Sequence, residues 1–172
     1  MTGRRVLILD TSILCCWLQV PGKDSFGSGE NHWNHKRVSQ VIDAEQSKNS
    51  LLVLPVASII ETGNHIAQSK AWNVFEIATR LAELMQRSAQ EKEPWAAFQH
   101  QSELWDASQL EKLAACWPEL AKQGLGIGDA TIKDVAEFYA STGTCHVEIL
   151  TGNQELKAWQ PAAPVMVPRR RR

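Results

Sequence analysis

The chain is short of several things, and each shortage removes a class of protein. No two of its four cysteines (Cys15, Cys16, Cys116 and Cys145) stand in a C-x-x-C pair. That argues against a zinc site or a disulfide framework and leaves them as small apolar residues of a reducing compartment. No apolar run reaches the length that crosses a bilayer. The first apolar run is interrupted at Asp10, so no signal peptide is expected and the expected location is cytoplasmic, without a membrane. Charge of either sign is not in excess: 18 basic residues face 19 acidic ones. Four of the basic ones are the terminal Arg169–Arg172, so the remaining body is acidic and no basic nucleic-acid sponge. The P-loop pattern is missing, and Gly124, Gly126 and Gly128 follow a helical stretch rather than a strand, as a dinucleotide site would not. A haloacid-dehalogenase-like phosphatase needs an Asp where Ser12 stands. There is no internal repeat.

With 172 residues and 44% hydrophobic composition the chain suits one globular domain. We expect a single domain over 1–168 and a basic tail over 169–172. Val6-Leu7-Ile8-Leu9 reads as a strand buried on both faces, ending at Asp10. Thr11 and Ser12 can cap a helix through Leu18, which Pro21-Gly22 ends. Residues 22–33 read as a polar loop and His35–Ser47 as a helix. Leu51–Val56 is a second strand, followed by a helix capped by Ser58. Residues 70–87 show the clearest helical periodicity, with Ala71, Val74, Phe75, Ala78, Leu81, Ala82 and Met85 inward. Pro94 is expected to start a helical turn, and Leu110, Leu113, Ala114 and Trp117 mark a helix that Pro118 interrupts. Asp129 opens a helix closed by Gly143. His146–Thr151 is a third strand, Gln154–Trp159 a short helix, and Val165–Val167 an edge strand. This order implies an α/β three-layer sandwich: a central, mostly parallel sheet flanked by helices.

Three acids fall where such a fold gathers chemistry: Asp10 after the first strand, Glu61 in the helix after the second, and Asp129 at a helix start. Crowded carboxylates repel unless a cation sits among them. With only oxygen donors, that cation is Mg²⁺ or Mn²⁺, the usual partner of phosphate substrates. It can lower the pKa of a bound water and offset charge growing on a phosphodiester. Taken singly, each acid could equally be a surface or capping residue.

These residues resemble the PIN domain, a metal-dependent ribonuclease family that includes the VapC-type toxins. The likeness lies in four blocks: Leu7-Ile8-Leu9-Asp10-Thr11-Ser12, Ile60-Glu61-Thr62-Gly63-Asn64, Gly128-Asp129-Ala130-Thr131-Ile132, and Ile149-Leu150-Thr151-Gly152-Asn153. The resemblance implies a metal-dependent endoribonuclease acting on RNA, with Asp10, Glu61 and Asp129 catalytic and holding the metal. It implies Asn153 as a further metal ligand and Thr11, Ser12, Asn64 and Thr151 as supporting residues. A toxin role would bring an antitoxin partner, and a homodimer is the other expected assembly. Two departures stand out. Asn153 takes the place of the family's usual Asp, for which Glu155 or Asp134 could compensate. Inserted helices also enlarge the stretch between the second strand and the Asp129 helix. The alternative is a PIN-fold module that binds RNA or protein and no longer cuts.

Other marks carry weaker signals. Lys133, one turn after Asp129, could reach a phosphate or form an i,i+4 contact. His32 and His35 have a metal-compatible spacing but read as surface residues, as does His65. Trp17, Trp72 and Trp117 fall on apolar helix faces and are expected in the core. Trp33, Trp95, Trp105 and Trp159 have polar neighbours, which suits packing, an interface or stacking on bases. The arginine tail could grip phosphates or be a solvated end.

Overall fold

A computed structural model describes residues 4–164. The expected edge strand Val165–Val167 and the tetra-Arg tail lie outside the described residues. The elements run β1 (Arg5–Leu9), α1 (Thr11–Leu18), β2 (Ser25–Phe26), a 3-10 turn (Gly29–Asn31), β3 (Trp33–Asn34), α2 (His35–Ser47), β4 (Leu51–Val53) and α3 (Val56–Gln68). They continue with α4 (Val74–Ala89), a 3-10 segment (Phe98–Trp105), α5 (Ala107–Lys122), α6 (Ile127–Ser141), β5 (His146–Leu150) and α7 (Gln154–Lys157). No helix among the described residues is long and apolar enough to cross a membrane.

β4, β1 and β5 form one parallel sheet with β1 in the middle. That central place explains the unbroken apolar run of β1, because both of its faces are covered. Alternation along the strand divides it between two cores. Leu7 and Leu9 pack with Ile13 and Leu14 of α1, Ile42 of α2 and Ile77 of α4. Val6 and Ile8 pack with Ile132 and Val135 of α6 and Leu156 of α7. The result is a parallel sheet between helical layers, as expected.

α2 spans the residues expected of it, started by Asn34, whose side chain accepts from the Arg37 amide. The stretch between α3 and α6 holds the inserted helices α4 and α5 and the 3-10 segment. Gln101 of that segment is buried, donating to the Leu54 carbonyl at 2.9 Å and accepting from the Val56 amide at 3.2 Å. The insertion therefore braces the corner at which α3 begins.

Several local expectations are corrected. The cap of α1 is Asp10 rather than Thr11 or Ser12. α3 starts at Val56, and Ser58 does not cap it; its hydroxyl donates to the Leu9 carbonyl at 2.8 Å. Pro94 opens no helix, because its carbonyl pairs with the Leu52 amide beside the sheet. α5 continues through Pro118, which removes one backbone donor without ending the helix. α4 begins at Val74, four residues late, and buries Ile77, Leu81, Leu84 and Ser88. Its stripe is thus one residue round from the expected one, leaving Phe75 at 87% exposure and Met85 out of the core. Trp72, expected in the core, lies in the turn before α4 at 94% exposure. Conversely, Trp33 and Trp95 are buried. Trp33 belongs to the two-residue antiparallel pair β2–β3, which stands where a loop was expected.

Candidate active site

The site lies at the carboxyl end of the sheet. β1 and β5 finish side by side, and the Asp10 amide donates to the Leu150 carbonyl at 3.1 Å. Asp10 is 4% exposed. Its Oδ2 accepts from the Ser12 hydroxyl at 2.7 Å, the Thr151 hydroxyl at 2.7 Å and the Ser12 amide at 3.3 Å. All three bonds fall on one oxygen, so Oδ1 accepts none of them. Thr151 also accepts from the Asn153 amide at 2.9 Å, and Ser12 from the Gly152 amide at 3.0 Å. The two strand ends thereby fix one carboxylate between them.

Glu61 is brought in by α3. The Ser58–Leu9 bond docks this helix on the end of β1, and three residues later Glu61 lies on a neighbouring face. Its Oε2 accepts from the Thr11 hydroxyl at 2.8 Å. Its other oxygen sits against the first turn of α6, in the space that a Cβ on Gly128 would occupy. A Cβ at 128 would therefore have to displace the Glu61 carboxylate from this position.

Asp129 follows in the same turn, and its Oδ2 accepts from the Asn153 side-chain amide at 3.3 Å. Burial pushes its carboxyl from 3.8 up to about 6, with the negative charges of Asp10, Glu61 and Glu155 adding to the rise. Asp10, Glu61, Asp129 and Asn153 all line one cavity of about 250 Å³, together with Thr11, Ser12, Cys15, Lys23, Ser25, Phe26 and His65.

The donor set suits a hard divalent cation: three carboxylates, flanking hydroxyls and one unused oxygen on Asp10. The fit lies in this chemistry rather than in a closed ligand shell. Among the described residues no group of three or more His, Cys, Asp or Glu side chains is gathered closely enough to hold a metal ion. Asn153 adds no oxygen ligand either. Its carbonyl oxygen accepts from the Glu155 amide at 3.0 Å as the cap of α7, so an N–H, not an oxygen, faces Asp129.

Other candidates fall elsewhere. Asn64 is exposed and does not line the cavity. His65, read from sequence as a surface residue, does line it, because it lies one turn from Glu61 on the same face. Lys133 turns toward the far end of α6, with Nζ 2.7 Å from Glu137 and 3.6 Å from Asp134, so it does not reach the cavity. Asp134 lines a separate groove with Leu104 and Trp105. Glu155 is exposed but near enough to act on Asp129 through its charge. His35 bonds the Trp17 carbonyl through Nδ1 at 2.8 Å, in keeping with an ordinary structural role. Lys23, Ser25 and Phe26 carried no signal as site residues. The aromatics on either side of the glycine-rich stretch 27–29 were the available hint of a hairpin.

No protein-family model matches the chain, and no curated protein or solved structure matches it.

Proposed function

We propose that the protein is a metal-dependent endoribonuclease with a PIN-like arrangement, cutting RNA phosphodiester bonds in the cytoplasm. One observation carries this reading. Asp10, Glu61 and Asp129, from three distant segments, line a single cavity at the carboxyl end of a parallel sheet. The order of the four blocks and their strand context supports it further.

In this reading Asp10, Glu61 and Asp129 would hold a Mg²⁺ or Mn²⁺ ion, which supplies a more acidic water and positive charge facing the phosphodiester. Ser12 and Thr151 keep Asp10 oriented by donating to Oδ2, which leaves Oδ1 without either bond. Thr11 does the same for Glu61. Asp129 is burdened by burial and by the charges of its neighbours, so its carboxylate gains from a cation. Such an enzyme fits the role of a toxin held in check by an antitoxin protein, and a second copy of the chain is the other partner to test.

The test is cleavage of single-stranded RNA with Mn²⁺. Wild type should cut, EDTA should stop it, and Asp10→Asn or Asp129→Asn should lower the rate by at least about a hundredfold. Cutting that persists in EDTA, or in both variants, refutes the reading.

A second reading has its own observation. The Asn153 amide satisfies Asp129 without any metal. That favours a PIN-fold module that binds RNA or a protein and cuts nothing. RNA retained intact by the purified protein, with Mn²⁺ present, would select it.

A further inference from the structure

One wall of the cavity has no part in the acid chemistry. Between α1 and α2 the chain makes an excursion over residues 22–34, closed by the antiparallel pairing of Ser25–Phe26 with Trp33–Asn34. It brings Lys23 and Phe26 to the cavity that the three acids line. Lys23 is the one lysine or arginine among the described residues that lines it, and it forms no ion pair among them. Phe26 belongs to neither core and is 43% exposed. Its ring lies directly over the Gly152 backbone, where any Cβ would land on the ring carbons. The ring is therefore packed against Gly152, while the residue lines the cavity.

The excursion is held in place from below. Trp33 is buried, and the Arg37 guanidinium lies 4.1 Å from the centre of its ring. Arg37 Nη1 also donates to the carbonyls of Glu30 at 2.8 Å and His32 at 2.7 Å. A ring and a cation presented on such a braced segment need little ordering when a ligand arrives. A half-exposed aromatic ring and an unpaired cation lining the same cavity match the two parts of a nucleotide, base and phosphate. A base can reach such a ring only when it is unpaired, which distinguishes a single strand from a duplex.

We infer that the 22–34 excursion is a binding wall for single-stranded RNA, with an unpaired base stacked on Phe26 and a neighbouring phosphate held by Lys23. The inference rests on reading the acid cavity as the place where an RNA backbone is cut, and it adds the residues that would grip the strand.

The experiment is fluorescence anisotropy with a short labelled single-stranded RNA and the full chain, in EDTA and separately in Ca²⁺. Phe26→Ala should weaken binding by about one to two orders of magnitude, and Phe26→Tyr should restore it. Gly152→Ala moves the ring without changing any charge and should weaken binding in the same sense. Lys23→Gln should reduce the slope of log affinity against log salt by about 0.7. Duplex RNA of the same sequence should not respond to Phe26→Ala. Wild type that binds no single strand in either buffer overturns the inference, as does Phe26→Ala binding like wild type. Ring-dependent binding without any cutting in Mn²⁺ upholds the wall and removes the nuclease reading. Cutting with an unchanged KM in Phe26→Ala removes the wall and leaves that reading standing.

Discussion

Replacing Asp129 with asparagine should make the metal-free protein more stable. In the folded chain burial and the charges of Asp10, Glu61 and Glu155 push the Asp129 carboxyl up to about 6. Unfolding removes those neighbours and returns it to about 3.9. Between the two values the folded state holds a proton that the unfolded state has released. Stability therefore falls as pH rises from about 4 to about 6, and the loss is complete above that window. A rise of about two pKa units is equivalent to about 3 kcal/mol, and partial solvation of this half-buried group lowers the working figure to about 1–2 kcal/mol.

Asparagine has nearly the same shape and no charge. Asp129→Asn should thus raise the melting temperature by about 2–8 °C at pH 7.5 in EDTA and leave it unchanged at pH 4. Mn²⁺ should narrow the gap at pH 7.5, because it stabilises wild type by mass action and the variant less. Circular-dichroism melts at pH 4, 5, 6 and 7.5, with and without Mn²⁺, measure all of this. A variant that melts at or below wild type at pH 7.5 would refute the electrostatic argument. So would an advantage that persists undiminished at pH 4, since it could not come from that carboxylate.

Three further outcomes are expected. Gly128→Ala should leave the melting temperature within about 3 °C, since alanine favours the helix while its methyl displaces Glu61; Mn²⁺ affinity by calorimetry should drop about tenfold. Gln101→Ala removes both bonds that brace the Leu54–Val56 corner and should cost about 1–3 kcal/mol in urea denaturation. Trp72→Ser should change stability by less than about 0.5 kcal/mol by the same assay, as its side chain is almost wholly solvated.

The parts of the fold that could be read from sequence are those set by long patterns. β1 announces itself because both faces of a central parallel strand must be apolar, and α2 because its cap and its buried Val38 and Ile42 agree. The three acids were legible from their place among such elements: Asp10 follows β1, Glu61 lies within the helix after β4, and Asp129 lies in the first turn of α6. The rest depends on how segments meet. α4 carries apolar residues on more than one face, so periodicity alone could not say that Ile77 goes inward and Phe75 outward. β2 and β3 have two residues each, too few for any alternation to register. Phe26 enters the site only because the chain path sets it on Gly152, a contact across more than a hundred residues. For Lys133, spacing from Asp129 says nothing of which neighbour its long side chain prefers; Glu137, one turn further on, takes it.

Asn153 decides how crowded the site is. An aspartate there would set a fourth carboxylate beside Asp129, which already feels three. The amide instead donates to Asp129 and caps α7 with its oxygen, so a single residue relieves the cluster and fixes the helix that follows β5. Three carboxylates line the cavity itself, with Glu155 acting on Asp129 from outside it, and Asp129 carries a proton much of the time near pH 6. That leaves between two and three negative charges on the lining carboxylates against the one positive charge of Lys23, a net that one divalent cation would balance to within a single charge. If the cavity takes a metal as proposed, this charge count would favour one divalent ion over two, and a calorimetric titration that finds two Mn²⁺ ions per chain would refute it.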